Sequence, residues 1–237
     1  MDRATGRWLR VVLVVVVCLA GLPATVGAID EPVDGSFVVE LDESGDAELH
    51  VSTRLALDDE EQRTAFDEID GDEEAKAEAG EQFLAEMRFV ADVSNDHVDR
   101  EMNVSNVTVA VEEDGDVGVV TYTVQWENLA AVESTDDEHR LTVSEPFSIY
   151  DELDRELVVV APEGYELTSV TPEPAETDDR SATWPGLTDL SDFEVVAERT
   201  DSAADTDEDG AGFGIVAGVV AILLSAGLLA RRRAHVA

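Results

Sequence analysis

The chain has 237 residues and carries 55 acidic against 15 basic residues, for a formal net charge of -40. Self-repulsion of this size destabilises a compact state in dilute solution, whereas molar salt shortens the Debye length to about 3 Å and relieves it. The charge therefore argues against dilute cytosol, argues against nucleic acid as a partner because carboxylates repel phosphate, and favours a halophilic medium. Intrinsic disorder, the alternative interpretation, requires low hydrophobicity. Since 44% of the residues are hydrophobic, we expect a folded acidic domain.

The first 28 residues have the pattern of a secretory signal peptide. Arg3, Arg7 and Arg10 accompany the apolar run Leu9–Leu22, and small residues follow at Val26–Ala28. Basic residues, an apolar run and small residues in this order are typical of an export signal, which predicts cleavage at the end of the last range. The sequence thus places the rest of the chain on the exported side.

The only cysteine, Cys18, lies inside this predicted signal peptide. The mature chain would therefore have no thiol, which excludes disulfides, thiolate catalysis and cysteine metal sites. Because Val15–Val17 lack the small residue that a lipoprotein signal has before its cysteine, we interpret Cys18 as an apolar filler.

Between the two ends, a β-hairpin is predicted first, then two helices, then a return to strands. In Ala47–Leu57, apolar residues alternate with polar or small ones, which is the period of a half-buried strand. Asp58 is the expected N-cap of the first helix, and Phe83, Met87 and Val90 fall at helical spacing in the second. The predicted helices start near Asp58 and span Glu73–Val93, and the predicted strands are Ser36–Leu41, Ala47–Leu57, Val104–Val111, Val117–Trp126, Leu141–Val143, Leu157–Val160, Leu167–Val170, Ala182–Trp184 and Phe193–Ala197.

Many short strands separated by turn residues favour a mainly β (α+β) class. We therefore predict an antiparallel β-sandwich-like ectodomain with a two-helix insertion, plus one C-terminal transmembrane helix. Trp126, Trp184 and Tyr165 are expected as core anchors of the sandwich, with a sugar-stacking platform as the alternative.

Two overlapping N-glycosylation acceptor motifs lie in the predicted strand Val104–Val111 and just before it. Asn103 is followed two positions later by Ser105, and Asn106 by Thr108. Asn103 and Asn106 are therefore glycosylation candidates if the segment is exported; the alternative is that they are ordinary polar residues of an edge strand.

Catalytic and metal-binding signatures are weak along the chain. His50, His97 and His139 fall in none of the spacings that a histidine base or zinc site uses. Asp205–Gly210 matches only the first half of a calcium loop, with Val216 where the ligating glutamate should stand. We expect no metal, no cofactor and no enzyme activity; the alternative is an extracellular hydrolase that works through paired carboxylates.

The C-terminal end has the pattern of a membrane anchor. Gly212–Ala230 contains no charged residue, and at about 1.5 Å per residue it is long enough to cross a hydrocarbon core of about 30 Å. Arg231, Arg232 and Arg233 follow, and the positive-inside rule places them in the cytoplasm. The predicted organisation is a signal peptide at 1–28, an extracellular domain at 29–199, an acidic linker at 200–211, a transmembrane helix or sorting tail at 212–230 and a cytoplasmic tail at 231–237.

Within this predicted helix, Gly214 and Gly218 have the Gly-x-x-x-Gly spacing of helix pairs that approach closely. The spacing makes these two residues helix-packing candidates for a homodimer. Small residues are also common in membrane helices without any such role.

Two sequence resemblances add to this reading. Ala211-Gly212-Phe213-Gly214, followed by the apolar run and the arginine triplet, resembles the PGF-CTERM sorting signal of haloarchaeal surface proteins. The resemblance implies an archaeosortase as a partner, which would cleave the tail and replace it with a lipid. Ala211 stands where that signal has proline, so a permanent membrane-spanning anchor is the alternative.

The domain itself resembles an uncharacterised ectodomain family of haloarchaeal membrane proteins. The resemblance implies location and domain extent, and it implies no chemistry. The segments that carry it are Asp99-Arg100-Glu101-Met102, Trp126-Glu127-Asn128-Leu129-Ala130, Pro162-Glu163-Gly164-Tyr165 and Trp184-Pro185-Gly186.

Together these patterns predict a non-enzymatic protein of the cell membrane, with a single pass and the bulk of the chain outside. Its expected role is in envelope structure or in binding an extracellular partner. A sensory ectodomain that signals through a separate partner protein is a further alternative.

Overall fold

The computed structural model describes residues 35–135, 138–150 and 152–200. The predicted signal peptide, acidic linker, transmembrane helix, sorting motif and arginine triplet lie outside these residues, as do Gly214 and Gly218. Within the described ranges, no helix is both long and apolar enough to cross a membrane. The elements are β1 (Gly35–Leu41), β2 (Ala47–Ala56), α1 (Glu60–Gly71), α2 (Glu73–Asn95), β3 (Asn103–Asp114), β4 (Val117–Glu127), β5 (Ala131–Ser134), β6 (His139–Val143), a 3₁₀ turn (Phe147–Ile149), β7 (Glu156–Val160), β8 (Tyr165–Thr171), β9 (Glu176–Thr177), β10 (Ser181–Trp184) and β11 (Glu194–Arg199).

The β1–β2 hairpin forms where the sequence predicts it, because the loop between the strands satisfies its own backbone. The carboxylate of Asp42 accepts hydrogen bonds from the backbone N–H groups of Ser44 and Asp46, at 2.8 and 3.1 Å. Gly45 has a φ of 86°, a left-handed conformation that costs glycine little. These local contacts hold the turn between the two strands.

Each helix begins at an aspartate that caps it. Asp59, rather than the predicted Asp58, accepts hydrogen bonds from the backbone N–H groups of Glu61 and Gln62. Asp72 ends the first helix and caps the second through Glu74 and Ala75. The prediction of the first cap was wrong by one position, because two adjacent aspartates are equally suitable as caps and their chemistry does not distinguish them.

The strands form two sheets within the described residues. The seven-stranded sheet has the order β3-β4-β2-β1-β7-β10-β9, and the four-stranded sheet has the order β5-β6-β11-β8. The mainly β class and the two-helix insertion are confirmed. The expected antiparallel pairing holds for the paired strands of the described residues except one pair: β1 pairs parallel with β7, from Ser36 opposite Glu156 to Glu40 opposite Val160.

The buried residues of both sheets belong to one hydrophobic core. Aromatic side chains link its parts: the Phe147 ring lies 5.7 Å from Phe37 and 5.2 Å from Phe193, and Phe193 lies 5.0 Å from Trp184. Phe147 comes from the 3₁₀ turn and Phe193 from the loop before β11, so residues outside the strands fill the space between strands of the two sheets.

The two helices pack on one face of the seven-stranded sheet, where they contact β2, β3 and β4. Phe83 of α2 stacks on Tyr122 of β4, with ring centroids 4.7 Å apart. Gly80 of α2 lies against Val109 of β3, so that a Cβ at Gly80 would be 3.0 Å from Val109 Cγ2. The opposite face of the sheet carries the alternate residues of each strand, and it is mainly polar.

Candidate functional site

The face of the seven-stranded sheet opposite the helices, here called the polar face, is rich in hydroxyl and carboxylate groups. Strand alternation places these side chains together, and most of them are half-buried. The register sets them in lateral rows, one of which runs through Thr108, Thr123, His50, Val38, Val158 and Thr183. The polar face comprises Ser36, Val38, Glu40, Glu48, His50, Ser52, Arg54, Thr108, Val119, Thr121, Thr123, Gln125, Glu156, Val158, Val160, Glu176 and Thr183.

A hydrogen-bonded cluster occupies the middle of the polar face. His50 Nδ1 lies 3.0 Å from the hydroxyl of Thr123, and His50 Nε2 lies 3.2 Å from a carboxylate oxygen of Glu48. The side-chain amide of Gln125 donates to the other carboxylate oxygen of Glu48. These contacts hold the side chains in fixed directions, so the face presents an ordered polar surface.

Two carboxylates share one end of this face. Burial raises the pKa of the Glu156 carboxyl, and the negative charge of Glu176 raises it further. Glu156 stands on β7, and Glu176 stands on β9 opposite Thr183 of β10, the strand that lies between them. A carboxyl of raised pKa near a second carboxylate is the kind of arrangement that acid–base hydrolysis uses.

The two glycosylation candidates lie at the edge of the same sheet, on β3. Both side chains are exposed. Asn103 pairs with Glu127 in the β3–β4 ladder and donates its side-chain amide to that carboxylate at 3.2 Å. Asn106 has a φ of 56° and falls in a β-bulge, where the register shifts between Ser105 and Thr108. The two candidates therefore differ in backbone and in side-chain partners.

Two of the segments that carry the family resemblance meet at one junction of loops. Arg100 donates from Nε to the carbonyl of Asn128 at 2.9 Å and from Nη2 to the carbonyl of Leu129 at 2.7 Å. The side-chain amide of Asn128 donates to the carbonyl of Glu101 at 2.9 Å, and its backbone N–H donates to Asp46 at 2.7 Å. The junction joins the β1–β2 loop, the segment after α2 and the β4–β5 loop, and its role is to hold the fold.

The backbone of Asn128 explains part of this junction. Asn128 has a φ of 56°, a left-handed conformation that asparagine adopts more readily than most residues.

The guanidinium of Arg100 is partly buried at this junction. Burial lowers its pKa, and the negative charge of Glu145 opposes that shift. The sequence reasoning missed the contact of Arg100 with Asn128 and Leu129, because its partners lie 28 and 29 residues apart in the chain.

A third resemblance segment ends in Tyr165, which is buried at the start of β8. Its hydroxyl lies 2.7 Å from His139 Nδ1 and accepts a hydrogen bond from Arg199 Nη2 at 3.3 Å. Arg199 also forms an ion pair with Glu43 at 2.7 Å. These contacts connect β6, β8 and β11 of the smaller sheet to the β1–β2 loop.

Five arginine side chains in the described residues bind backbone carbonyls. A surface ion pair is weakened by salt, because salt screens the attraction between its two net charges. A hydrogen bond from a guanidinium to a neutral carbonyl joins only one net charge, so it has no such attraction to lose. This use suits a chain that is expected to work in molar salt. The bonds join Arg63 to Leu57, Arg88 to Val104, Arg100 to Asn128 and Leu129, Arg155 to Ser52, and Arg180 to Ala161.

Asp154 and Arg155 form a buried ion pair before β7. Arg155 is 2% exposed and Asp154 is 5% exposed. The guanidinium binds the carboxylate through two hydrogen bonds, of 2.9 and 3.2 Å, and it also donates to Ser52 and Thr53 of β2. The pair thus attaches the segment that precedes β7 to the end of β2.

The structure places the remaining sequence candidates as follows. Trp126, Trp184 and Tyr165 are almost fully buried, which confirms them as core anchors and leaves none of the three as a sugar-stacking platform. His50, His97 and His139 lie on β2, after α2 and on β6. Over residues 35–135, 138–150 and 152–200, no group of three or more His, Cys, Asp or Glu residues has an arrangement that could hold a metal ion.

The fold and these sites define a mainly β domain with a two-helix insertion and a polar sheet face. The chain belongs to the family described as a domain of unknown function (DUF7345), whose profile matches residues 38–165. This confirms the expected membership of an uncharacterised family. The matched segment runs from β1 to the first residue of β8, so it includes the loop junction and both glycosylation candidates.

Comparisons with other proteins add little. The search of curated proteins found no match. Among solved structures, the chain is similar to the NMR structure of the folded domain of the LppM protein of Mycobacterium tuberculosis, with a TM-score of 0.30 and 9% identity over 75% of this chain and 95% of that one. A likeness at this level carries no argument about fold or function.

Proposed function

We propose that this protein is a non-enzymatic, exported surface protein of a halophilic archaeon, held at the cell membrane by its C-terminal segment. The observation that carries the proposal is the order of segments: an apolar run accompanied by arginines, a strongly acidic domain, and an uncharged run followed by an arginine triplet. Residues 212–230 remain as a membrane helix or are exchanged for lipid at Ala211–Phe213.

The architecture of the described domain supports this proposal. The core of the two sheets is continuous, and we take the sheets to pack face to face as a sandwich around it. Arginine bonds to carbonyls hold its loops by contacts that salt screens weakly. A domain built in this way can fold in brine beside the membrane.

Mass spectrometry of the mature protein, purified from its own membrane, tests the location. The proposal expects an N-terminus near Ile29 and either an intact C-terminus or a lipid that replaces it. A protein recovered from the soluble cell interior with residues 1–28 still attached would overturn it. A reporter fused after Ala237 that is accessible from outside intact cells would also overturn it.

Within this role, the polar face is the surface proposed to bind an extracellular partner. Its ordered hydroxyl, amide and carboxylate groups suit a partner with many hydrogen-bonding groups, because neighbouring strands present several such groups side by side. Thr121→Arg would place a long charged side chain on this face. Thr64→Arg is the matched control, since Thr64 is exposed on α1.

Crosslinking on intact cells compares these two variants. The proposal expects crosslinked species in the wild type and in Thr64→Arg, and their loss in Thr121→Arg. Equal crosslinking in both variants would remove the polar face as the binding surface and leave the envelope-structural role.

Hydrolysis through a carboxylate pair is the second candidate function, and the raised pKa of Glu156 beside Glu176 is the observation that favours it. Glu156 and Glu176 lie on the polar face, so this candidate assigns catalysis to the surface that the first proposal assigns to partner binding. Purified protein would cleave chromogenic glycosides, and Glu156→Gln would abolish the cleavage while Glu163→Gln, in the β7–β8 loop, would not. Equal rates in the wild type and Glu156→Gln would discard this candidate.

A further inference from the structure

The two overlapping acceptor motifs on β3 stand in different structural settings. In the first motif, the middle residue Val104 is 0% exposed, and its carbonyl accepts a hydrogen bond from Arg88 at 3.0 Å. Asn103 itself lies in the ladder and is bound to Glu127. A transferase that must hold all three residues of this motif would have to pull a core residue out of the folded domain.

The second motif is arranged for access. Asn106 and Val107 lie in the bulge and have no partner in the β3–β4 ladder, so lifting them breaks no ladder pair. Asn106 and Thr108 are exposed and Val107 is half-buried. Both the amide and the hydroxyl of this motif are therefore open to solvent at the edge of the sheet.

From this contrast we propose that Asn106, and not Asn103, is N-glycosylated; the inference rests on the proposed export of the domain. In the transfer, Asn106 Nδ2 attacks the anomeric carbon of a glycan carried on a lipid phosphate. The new C–N bond replaces the C–O bond to the phosphate, which leaves with the electron pair, and the amide gives up one proton to a base of the transferase.

The position of the glycan has a physical consequence. β3 is an edge strand of the seven-stranded sheet, and edge strands offer unpaired backbone groups to other chains. A glycan in the bulge would block strand pairing along this edge. The net negative charge opposes such pairing only weakly in molar salt, because screening is strong there.

Four variants test the proposal by glycopeptide mass spectrometry of protein purified from its own membrane. We expect the glycan mass on the wild type and on Asn103→Gln, and its complete loss in Asn106→Gln and in Thr108→Val. Ser105→Ala should retain it, since Ser105 belongs to the first motif. A glycan that persists in Asn106→Gln, or one that disappears in Asn103→Gln, would overturn the assignment.

A designed acceptor separates this inference from the proposed export. Asp114→Asn combined with Asp116→Thr creates a motif in the exposed β3–β4 turn. If this motif is modified and Asn106 is bare, the chain has reached the transferase and the assignment to Asn106 is wrong. If neither motif carries a glycan, the chain has not been exposed to the transferase and the assignment to Asn106 is wrong. The position of the mature N-terminus then shows whether the proposed export fails as well.

Discussion

Gly118 on β4 lies directly under the side chain of Phe66 from α1, at a point where the helical layer packs closely on the sheet. A Cβ at this position would lie 2.4 Å from Phe66 Cδ2, 2.6 Å from Phe66 Cε2 and 3.0 Å from Leu57 Cδ2. Ordinary carbon–carbon contact is about 3.5–4.0 Å, so the methyl group of Gly118→Ala would overlap the ring by about 1 Å. Phe66 is 1% exposed, so we expect that α1, which carries it, must shift to make room.

Overpacking of this kind costs about 1–3 kcal/mol, and we expect Gly118→Ala to lower the free energy of unfolding by that amount. Gly71→Ala is the matched control, because a Cβ at the last residue of α1 would meet nothing within 4 Å. The same added methyl group should raise stability there by about 0.4–1 kcal/mol, since it restricts the unfolded chain. The two variants should therefore differ in sign.

Urea unfolding in molar salt, followed by tryptophan fluorescence, measures both variants. Trp126 and Trp184 are buried in the core, so unfolding exposes both rings to water and changes their emission. A Gly118→Ala midpoint equal to or above that of the wild type would show that the layer between Phe66 and the sheet has room for a methyl group, and the packing argument would then be wrong.

Three further predictions concern charged residues. Arg155→Met leaves Asp154 buried without its partner and should lower the free energy of unfolding by about 3–5 kcal/mol, whereas the double variant with Asp154→Leu should recover most of this loss. Urea unfolding midpoints compare the two variants, and an equal loss in both would contradict the reasoning. Arg100→Lys replaces a forked donor with a point charge, so it should lose at least one of the two carbonyl bonds and about 1–2 kcal/mol; an unchanged melting temperature would refute it. The backbone N–H of Arg180 lowers the pKa of Asp178. A carboxyl whose pKa is lower in the folded state than in the unfolded state stabilises the fold fully above the unfolded pKa of about 3.9, and this stability is lost as the pH falls through the folded pKa. Asp178→Ala should therefore weaken the dependence of the free energy of unfolding on pH in the acid range. An unchanged dependence would count against this role.

Local patterns were enough to predict much of the fold. The alternation in β2 and β4, the helical spacing of Phe83, Met87 and Val90, and the burial of Trp126 are each encoded within a few neighbouring residues. The strand limits agree with the structure within a few positions because turn residues mark them. These features depend on which face of an element is apolar, and that information is local.

Other features have no local signal. β5 is mostly exposed and β9 has two residues, so neither shows an apolar alternation. The parallel pairing of β1 with β7 depends on strands that are far apart in the chain. The contacts of Arg100 with Asn128 and Leu129, and the effect of the Glu176 charge on the pKa of Glu156, likewise arise only when the chain has folded.

The pairing of β1 also bears on when the domain can assemble. One edge of β1 pairs with β2, its neighbour in the hairpin. The other edge pairs with β7, which begins only at Glu156. Until that late stretch arrives, the hydrogen-bonding groups along the centre of the large sheet stay open to any strand nearby. Contacts between distant parts of a chain also form slowly. A nascent chain that emerges N-terminus first is thus most vulnerable to mispairing just before its final third appears, and cells would need to shield that stage.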